Sequence, residues 1–299
     1  VVTHLVAEQA AGAGAGAVGF GDAFGEHESQ QVLVWRRNRH IRSLRGIGSG
    51  RTDTMPTLTD VITTPDGACP VTLATPEGSG PWPGVVMYPD AGGARAVFTD
   101  MASRLAGFGY AVLVPDVYYR DPGWAPFDMV NVFGDAGERK RLFGMISKVT
   151  PELMAADAAV FFDYLAGRPE VRGESFGTTG YCMGGRTSLV VAGRVPDRVA
   201  AAMSFHGGGL ASDDPGSPHL LADRMRAAIY VGAAENDASF TAEQAEILDR
   251  ALTDAGVEHT IEFYAAAHGF AVPDNAPYDE AAAERHWAAM RDFFGSHLP

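Results

Sequence analysis

The stretch Gly180-Tyr181-Cys182-Met183-Gly184-Gly185 constrains this chain more than any other. It follows Phe176-Gly177-Thr178-Thr179, which reads as a short strand, and it precedes Arg186 to Ala192, which reads as a helix. In a Gly-x-Cys-x-Gly turn between a strand and a helix, the central residue is held in a strained backbone conformation. Side chains two positions to either side would collide with the neighbouring strand and helix, so glycine is required there. The same turn sets the sulfur at a helix N-terminus, where the local field favours a thiolate. A lone cysteine in a Gly-rich turn also reads as a small buried residue. The residues downstream decide between the two.

Arg226-Ala-Ala-Ile-Tyr-Val-Gly232 reads as a buried strand that runs into Ala233-Ala-Glu-Asn-Asp237, with a helix opening near Thr241. Asp237 therefore falls in a loop just past a strand end. Thr260 to Tyr264 alternates like a strand and ends in Ala265-Ala-Ala-His268-Gly-Phe270, ahead of a last helix from about Asp279. In open α/β sheets the carboxyl ends of the strands share one edge, so Cys182, Asp237 and His268 are expected to converge there. A strand–turn–helix nucleophile followed by an acid and then a histidine is the order of an α/β-hydrolase, here with cysteine in place of the usual serine. In that arrangement His268 takes the thiol proton or pairs with the thiolate, and Asp237 fixes the imidazole tautomer. Each partner has a plainer alternative. Asp237 also suits a helix N-cap, Glu235 is a rival acid, and His268 is one of nine histidines.

Beyond these residues, the chain from roughly Thr57 onward resembles the dienelactone hydrolase (carboxymethylenebutenolidase-like) family. Gly180-Tyr-Cys-Met-Gly-Gly185 is similar to that family's Gly-Tyr-Cys-hydrophobic-Gly-Gly elbow. Gly84-Val-Val-Met-Tyr-Pro-Asp-Ala-Gly-Gly93, a helix and Gly109-Tyr-Ala-Val-Leu-Val-Pro-Asp-Val-Tyr-Tyr-Arg120 repeat its order of strand, acidic residue, helix and Pro-Asp-x-Tyr-x-Arg. The resemblance implies that Asp90 stands where a glutamate contacts the resting cysteine, and that Arg120 stands where an arginine binds a substrate carboxylate. It also implies an oxyanion hole from the backbone N–H groups of Met183 and Ala91. This agrees with the general rule that the residue after the nucleophile and a loop after an early strand supply the donors. There are two departures. Aspartate at position 90 is one methylene shorter than glutamate, and Val272 stands where the family carries a second arginine four residues after the histidine.

Ser204-Phe-His206-Gly-Gly-Gly209 contains the His-Gly-Gly-Gly string of lipase oxyanion loops, but such a loop lies before the nucleophile, not after it. We read it as a rim of the pocket, with His206 a rival base only if His268 fails. The net charge of −14 and the lack of a basic stripe argue against nucleic acid as a partner. The longest near-apolar run, Ala10 to Gly21, is too short to span a bilayer. The two cysteines, Cys69 and Cys182, are expected reduced, as in a cytoplasmic protein, with Cys69 structural. No zinc spacing is present, and neither a metal nor a cofactor is expected. The oligomeric state is not readable.

Residues 1–54 combine an Ala/Gly run with an arginine cluster, Arg36 to Arg42, and lack lysine. Three readings compete: a targeting peptide, a disordered tail, and translated upstream sequence with Met55 as the start. We favour the last, and expect disorder in either of the latter two cases. Residues 55–299 are expected to form a single α/β domain. Strands are predicted at 58–63, 68–73, 84–88, 110–114, 176–180, 199–205, 227–232 and 258–264. Helices are predicted at 94–107, 151–166, 184–193, 241–255 and 279–296. The alternation predicts a mostly parallel central sheet with helices on both faces and an antiparallel early edge. Residues 121–146 read as a less regular insertion whose Trp124, Phe127, Met129 and Phe133 either cap the pocket or pack on the sheet edge.

The expected activity is hydrolysis of a small ester or lactone through an acyl-thioester on Cys182. Two alternatives stand beside it: thioester or peptide cleavage by the same triad, and a non-catalytic ligand binder or thiol redox sensor.

Overall fold

The computed structural model describes residues 55–298, and the readings of residues 1–54 lie outside them. Eight strands form one sheet: β1 (Thr57–Thr64), β2 (Gly67–Ala74), β3 (Trp82–Tyr88), β4 (Ala111–Pro115), β5 (Val171–Tyr181), β6 (Val199–Phe205), β7 (Ala228–Asn236) and β8 (His259–Ala267). Their order is β1-β2-β4-β3-β5-β6-β7-β8. β1 pairs antiparallel with β2 and β2 antiparallel with β4, and every other pairing is parallel. Among the described residues there are six α-helices, α1 (Ala96–Ala106), α2 (Ala136–Ile146), α3 (Pro151–Ala166), α4 (Met183–Arg194), α5 (Ala242–Asp254) and α6 (Glu280–His297).

The two-residue period of a strand divides the core into two layers. Val86 and Tyr88 of β3, with Ile229 and Val231 of β7, face the layer that packs α3, α4 and α5. Val85 and Met87, with Tyr230, face the layer that packs α1 and α6. Both faces of the central strands are thus covered. This explains why those strands read as near-continuous apolar runs rather than alternating ones. This is the fold expected from the sequence, with the early strands on an antiparallel edge.

Three local differences matter for the site. β7 and β8 run on to Asn236 and Ala267, so Asp237 and His268 follow their strands directly. Helix α1 begins at Ala96, leaving Arg95 extended before it instead of inside it. The 121–146 insertion contains α2, which the apolar pattern does not announce because only Leu142 and Met145 of it are buried. Its start is set by Asp135, whose side chain accepts from the amides of Gly137 and Glu138. Among the described residues, no helix is long and apolar enough to cross a membrane.

Candidate active site

Cys182 stands between β5 and α4 with φ 55° and ψ −116°, one of two non-glycine residues with positive φ among those described. Its own N–H donates to the Phe205 carbonyl at 3.1 Å, which pins the turn to the end of β6. The flanking glycines are required sterically. A Cβ on Gly180 would lie 2.0 Å from the Gly184 carbonyl oxygen, and one on Gly184 would lie 2.3 Å from that of Tyr88. These contacts bring the first turn of α4 against the end of β3, and with it the loop that carries Ala91. The Met183 amide belongs to the first turn of α4, where N–H groups have no partner within the helix.

His268 and Asp237 meet at the same sheet edge. Nδ1 of His268 is 2.7 Å from Oδ2 of Asp237, and the Cys182 sulfur is close enough to act on the His268 ring electrostatically. The other oxygen of Asp237 accepts from the Ser239 amide at 2.8 Å and from its hydroxyl at 2.6 Å. Burial alone would lower the His268 pKa. The Cys182 sulfur and the Asp237 carboxylate outweigh burial and hold it well above the ordinary value. Burial opposes ionisation of Asp237 as well, yet the bonds from His268 and Ser239 keep its pKa below the usual carboxylate range. The rival acid, Glu235, is exposed.

His206 lies against the edge of His268, with ring centroids 5.2 Å apart, and against Phe270. It is fully buried, and among the described residues neither ring nitrogen has a hydrogen-bond partner. Burial first, then the neighbouring His268 and His286, push its pKa well below the usual value, so it is neutral. Its φ of 39° marks the turn after β6.

The Asp90–Gly93 turn forms the other side. The Asp90 carbonyl accepts from the Gly93 amide at 3.0 Å, and the Asp90 carboxylate accepts from the Gly92 amide at 2.8 Å. Tyr118 donates its hydroxyl to the Ala91 carbonyl at 2.9 Å. Ala91, Met183 and Cys182 lie in one apolar cluster with Tyr118, Phe127, Met129 and Met145. The 121–146 insertion therefore packs over the turn: a Cβ on Gly93 would meet the Trp124 ring at 2.4 Å. Phe133, by contrast, is exposed.

Asp90 is buried, and its carboxylate is engaged by Arg95. Arg120 is engaged too. It donates to both oxygens of Asp157 at 2.7 and 2.8 Å and to Asp66, and it lies over the Tyr119 ring. Val272 is fully buried. Cys69 is buried in β2, and burial pushes its thiol up to about 12, which leaves it inert. Among the described residues, no group of three or more His, Cys, Asp and Glu is arranged to hold a metal. Sequence reasoning did not find Arg95, Tyr118 or Ser239. Ser239 had a usable signal, being two residues beyond the acid in the same loop.

A mostly parallel eight-stranded sheet with a tight Gly-x-Cys-x-Gly turn between β5 and α4 defines an α/β-hydrolase fold. The family model described as dienelactone hydrolase family matches residues 69–298, and the chain belongs to that family. A protein of Synechocystis named "putative carboxymethylenebutenolidase" is 28% identical over 235 residues, covering 76% of this chain and 91% of its own. One of the same name from Escherichia coli is 27% identical over 261 residues, covering 80% and 92%. Among solved structures, a Klebsiella pneumoniae protein named "putative dienelactone hydrolase" superposes with TM-score 0.71 at 24% identity, covering 81% of this chain and 99% of its own.

Proposed function

We propose that this protein is a cysteine-dependent hydrolase of small esters or lactones. One observation carries the reading: a cysteine in a strained turn at a helix start shares one sheet edge with a histidine that it acts on electrostatically and whose Nδ1 is held by a buried aspartate side chain. The Cys182 thiolate attacks the substrate carbonyl carbon, and the carbonyl electron pair moves onto oxygen. The amides of Met183 and Ala91 donate to that oxyanion. Collapse expels the alkoxide, which takes the proton from the His268 imidazolium, and leaves an acyl-thioester. His268 then takes a proton from water, the hydroxide adds to the thioester, and the thiolate departs. Asp237 keeps the Nδ1 proton in place throughout, so the other ring nitrogen serves the sulfur.

The chemistry selects its substrates. From the tetrahedral intermediate a thiolate departs more readily than a simple alkoxide, because an ordinary thiol is by far the stronger acid. Unactivated alkyl esters therefore revert, whereas strained lactones and esters with acidic leaving groups go forward. The charge arrangement narrows the choice further. Arg120 would have to exchange its bonds to Asp157 and Asp66 to bind a carboxylate, and position 272 offers no cation. Uncharged substrates are thus favoured over carboxylate-bearing dienelactones.

The test compares hydrolysis of an activated aryl ester, a dienelactone and an ethyl ester by the full chain and by Cys182→Ala. Turnover of the aryl ester that falls by roughly 10⁴-fold in the variant supports the reading. Turnover that survives Cys182→Ala sinks it. A folded protein that alkylates at Cys182 yet turns over none of the three redirects attention to a thiol sensor.

A further inference from the structure

The Arg95 side chain is only 7% exposed, and its guanidinium joins two carboxylates from distant parts of the chain. Nη1 donates to Oδ1 of Asp90 at 2.6 Å and Nη2 to Oδ2 at 3.0 Å. Nε donates to Oδ2 of Asp274 at 2.7 Å and Nη2 to Oδ1 at 2.6 Å. Asn275 completes the junction through Nδ2 to Oδ2 of Asp90 at 3.1 Å. Every nitrogen of the fork is engaged, so none is left for a substrate anion.

The two ends of this clamp sit on two sides of the site that are distant in sequence. Asp90 opens the turn whose next amide belongs to Ala91. Asp274 and Asn275 close the segment that starts at His268, which is wound tightly by bonds from Phe270 to Ala267, Val272 to Gly269 and Asn275 to Val272. Asp90 and the Arg95 side chain are buried, while the Asp274 side chain is 43% exposed. An ion pair buried at the Asp90 end seldom adds net stability over an apolar packing of the same volume, and its gain is geometric definition. The planar fork fixes direction as well as distance, which a lysine does not.

We propose that Arg95 is a positioning residue that sets the Ala91 amide in register with His268 by clamping Asp90 to Asp274 and Asn275. The proposal rests on the reading that Ala91 and His268 both serve Cys182. A donor displaced by about 1 Å costs on the order of 100-fold in rate without loosening ground-state binding.

Asp274→Ala is the informative variant, because it cuts the far half of the clamp while leaving the buried Asp90 paired. It is expected to lower kcat about tenfold with KM within about twofold. Affinity for an aryl trifluoromethyl ketone, whose adduct places an oxyanion on the donors, falls in parallel. Alkylation of Cys182 by iodoacetamide, which forms no oxyanion, is unchanged. Arg95→Met shows a larger loss in the same pattern, and Arg95→Lys recovers part of it. Hydrogen exchange quickens at residues 89–93 and 269–276 in Asp274→Ala. Unchanged kcat and ketone affinity in Asp274→Ala overturn the proposal. So does alkylation that falls in step with kcat, since Arg95 would then act on the thiolate and not on the donor turn. Failure of the underlying reading has its own mark, wild-type turnover that survives Cys182→Ala. In that event the exchange rates, which need no turnover, decide the clamp, and unchanged rates overturn it.

Discussion

The Cys182 turn and the Asp90–Gly93 turn face each other across one cluster, yet they are built by different physics. The first depends on glycines within six consecutive residues, whose two absent Cβ atoms let a helix start press against the ends of its own strand and of β3. The second is fixed by polar partners drawn from afar: Tyr118, 27 residues away from Ala91, and Asp274 and Asn275, 179 residues from Arg95 and 185 from Asp90. A steric joint is insensitive to charge and intolerant of a methyl group. A polar joint tolerates small changes of volume and fails when one partner is removed.

Four substitutions sharpen or break this contrast. Asp237→Asn keeps the shape of the histidine side but loses the tautomer control, and kcat should fall roughly 10³-fold with little change in the urea midpoint. A loss under tenfold would mean that Ser239 and packing alone orient His268. Gly184→Ala attacks the steric joint, because its new Cβ would sit 2.3 Å from the Tyr88 carbonyl oxygen, which is backbone and cannot rotate away. Denaturant unfolding should show a cost of about 3 kcal/mol. Normal stability in this variant would show that the elbow can relax.

Tyr118→Phe tests the polar joint without touching charge. The buried Ala91 carbonyl loses its donor, and kcat should drop about tenfold at constant KM, with about 1 kcal/mol lost from stability. Loss of stability without loss of kcat would separate the Tyr118 bond from the donor turn. The smallest effect concerns His206. Its folded pKa is depressed, so its contribution to stability is complete above the unfolded value near 6.5 and is lost as the pH falls below it, where the unfolded chain takes up a proton that the folded chain resists. His206→Phe should flatten the fall in stability between pH 7 and 5 by at most about 1.4 kcal/mol per pH unit. Parallel pH profiles for the two proteins would refute the neutral assignment.

The same contrast explains what could be read beforehand. The elbow, and the placement of Asp237 and His268 after strand ends, were legible because glycine spacing and apolar runs are local signals. The two-layer core followed from the same runs. Arg95 was not legible, since its sequence neighbourhood suggests helix and nothing local points to a partner 179 residues on. Helix α2 was hidden for the opposite reason: it buries too little for periodicity to reveal it, and its cap is the stronger signal. The engagement of Arg120 by Asp157 depends on where α3 packs against β1 and β5, which no motif encodes.

One consequence concerns evolution of the site. A non-glycine residue at φ 55° and ψ −116° holds a conformation that costs on the order of 1–3 kcal/mol and that glycine adopts freely. Drift toward greater robustness would therefore favour replacing Cys182, the residue on which the proposed chemistry turns. A sequence with glycine in that place would be expected to gain in folded-state ease whatever it lost in turnover, and screens for thermal tolerance alone should find such inactive descendants.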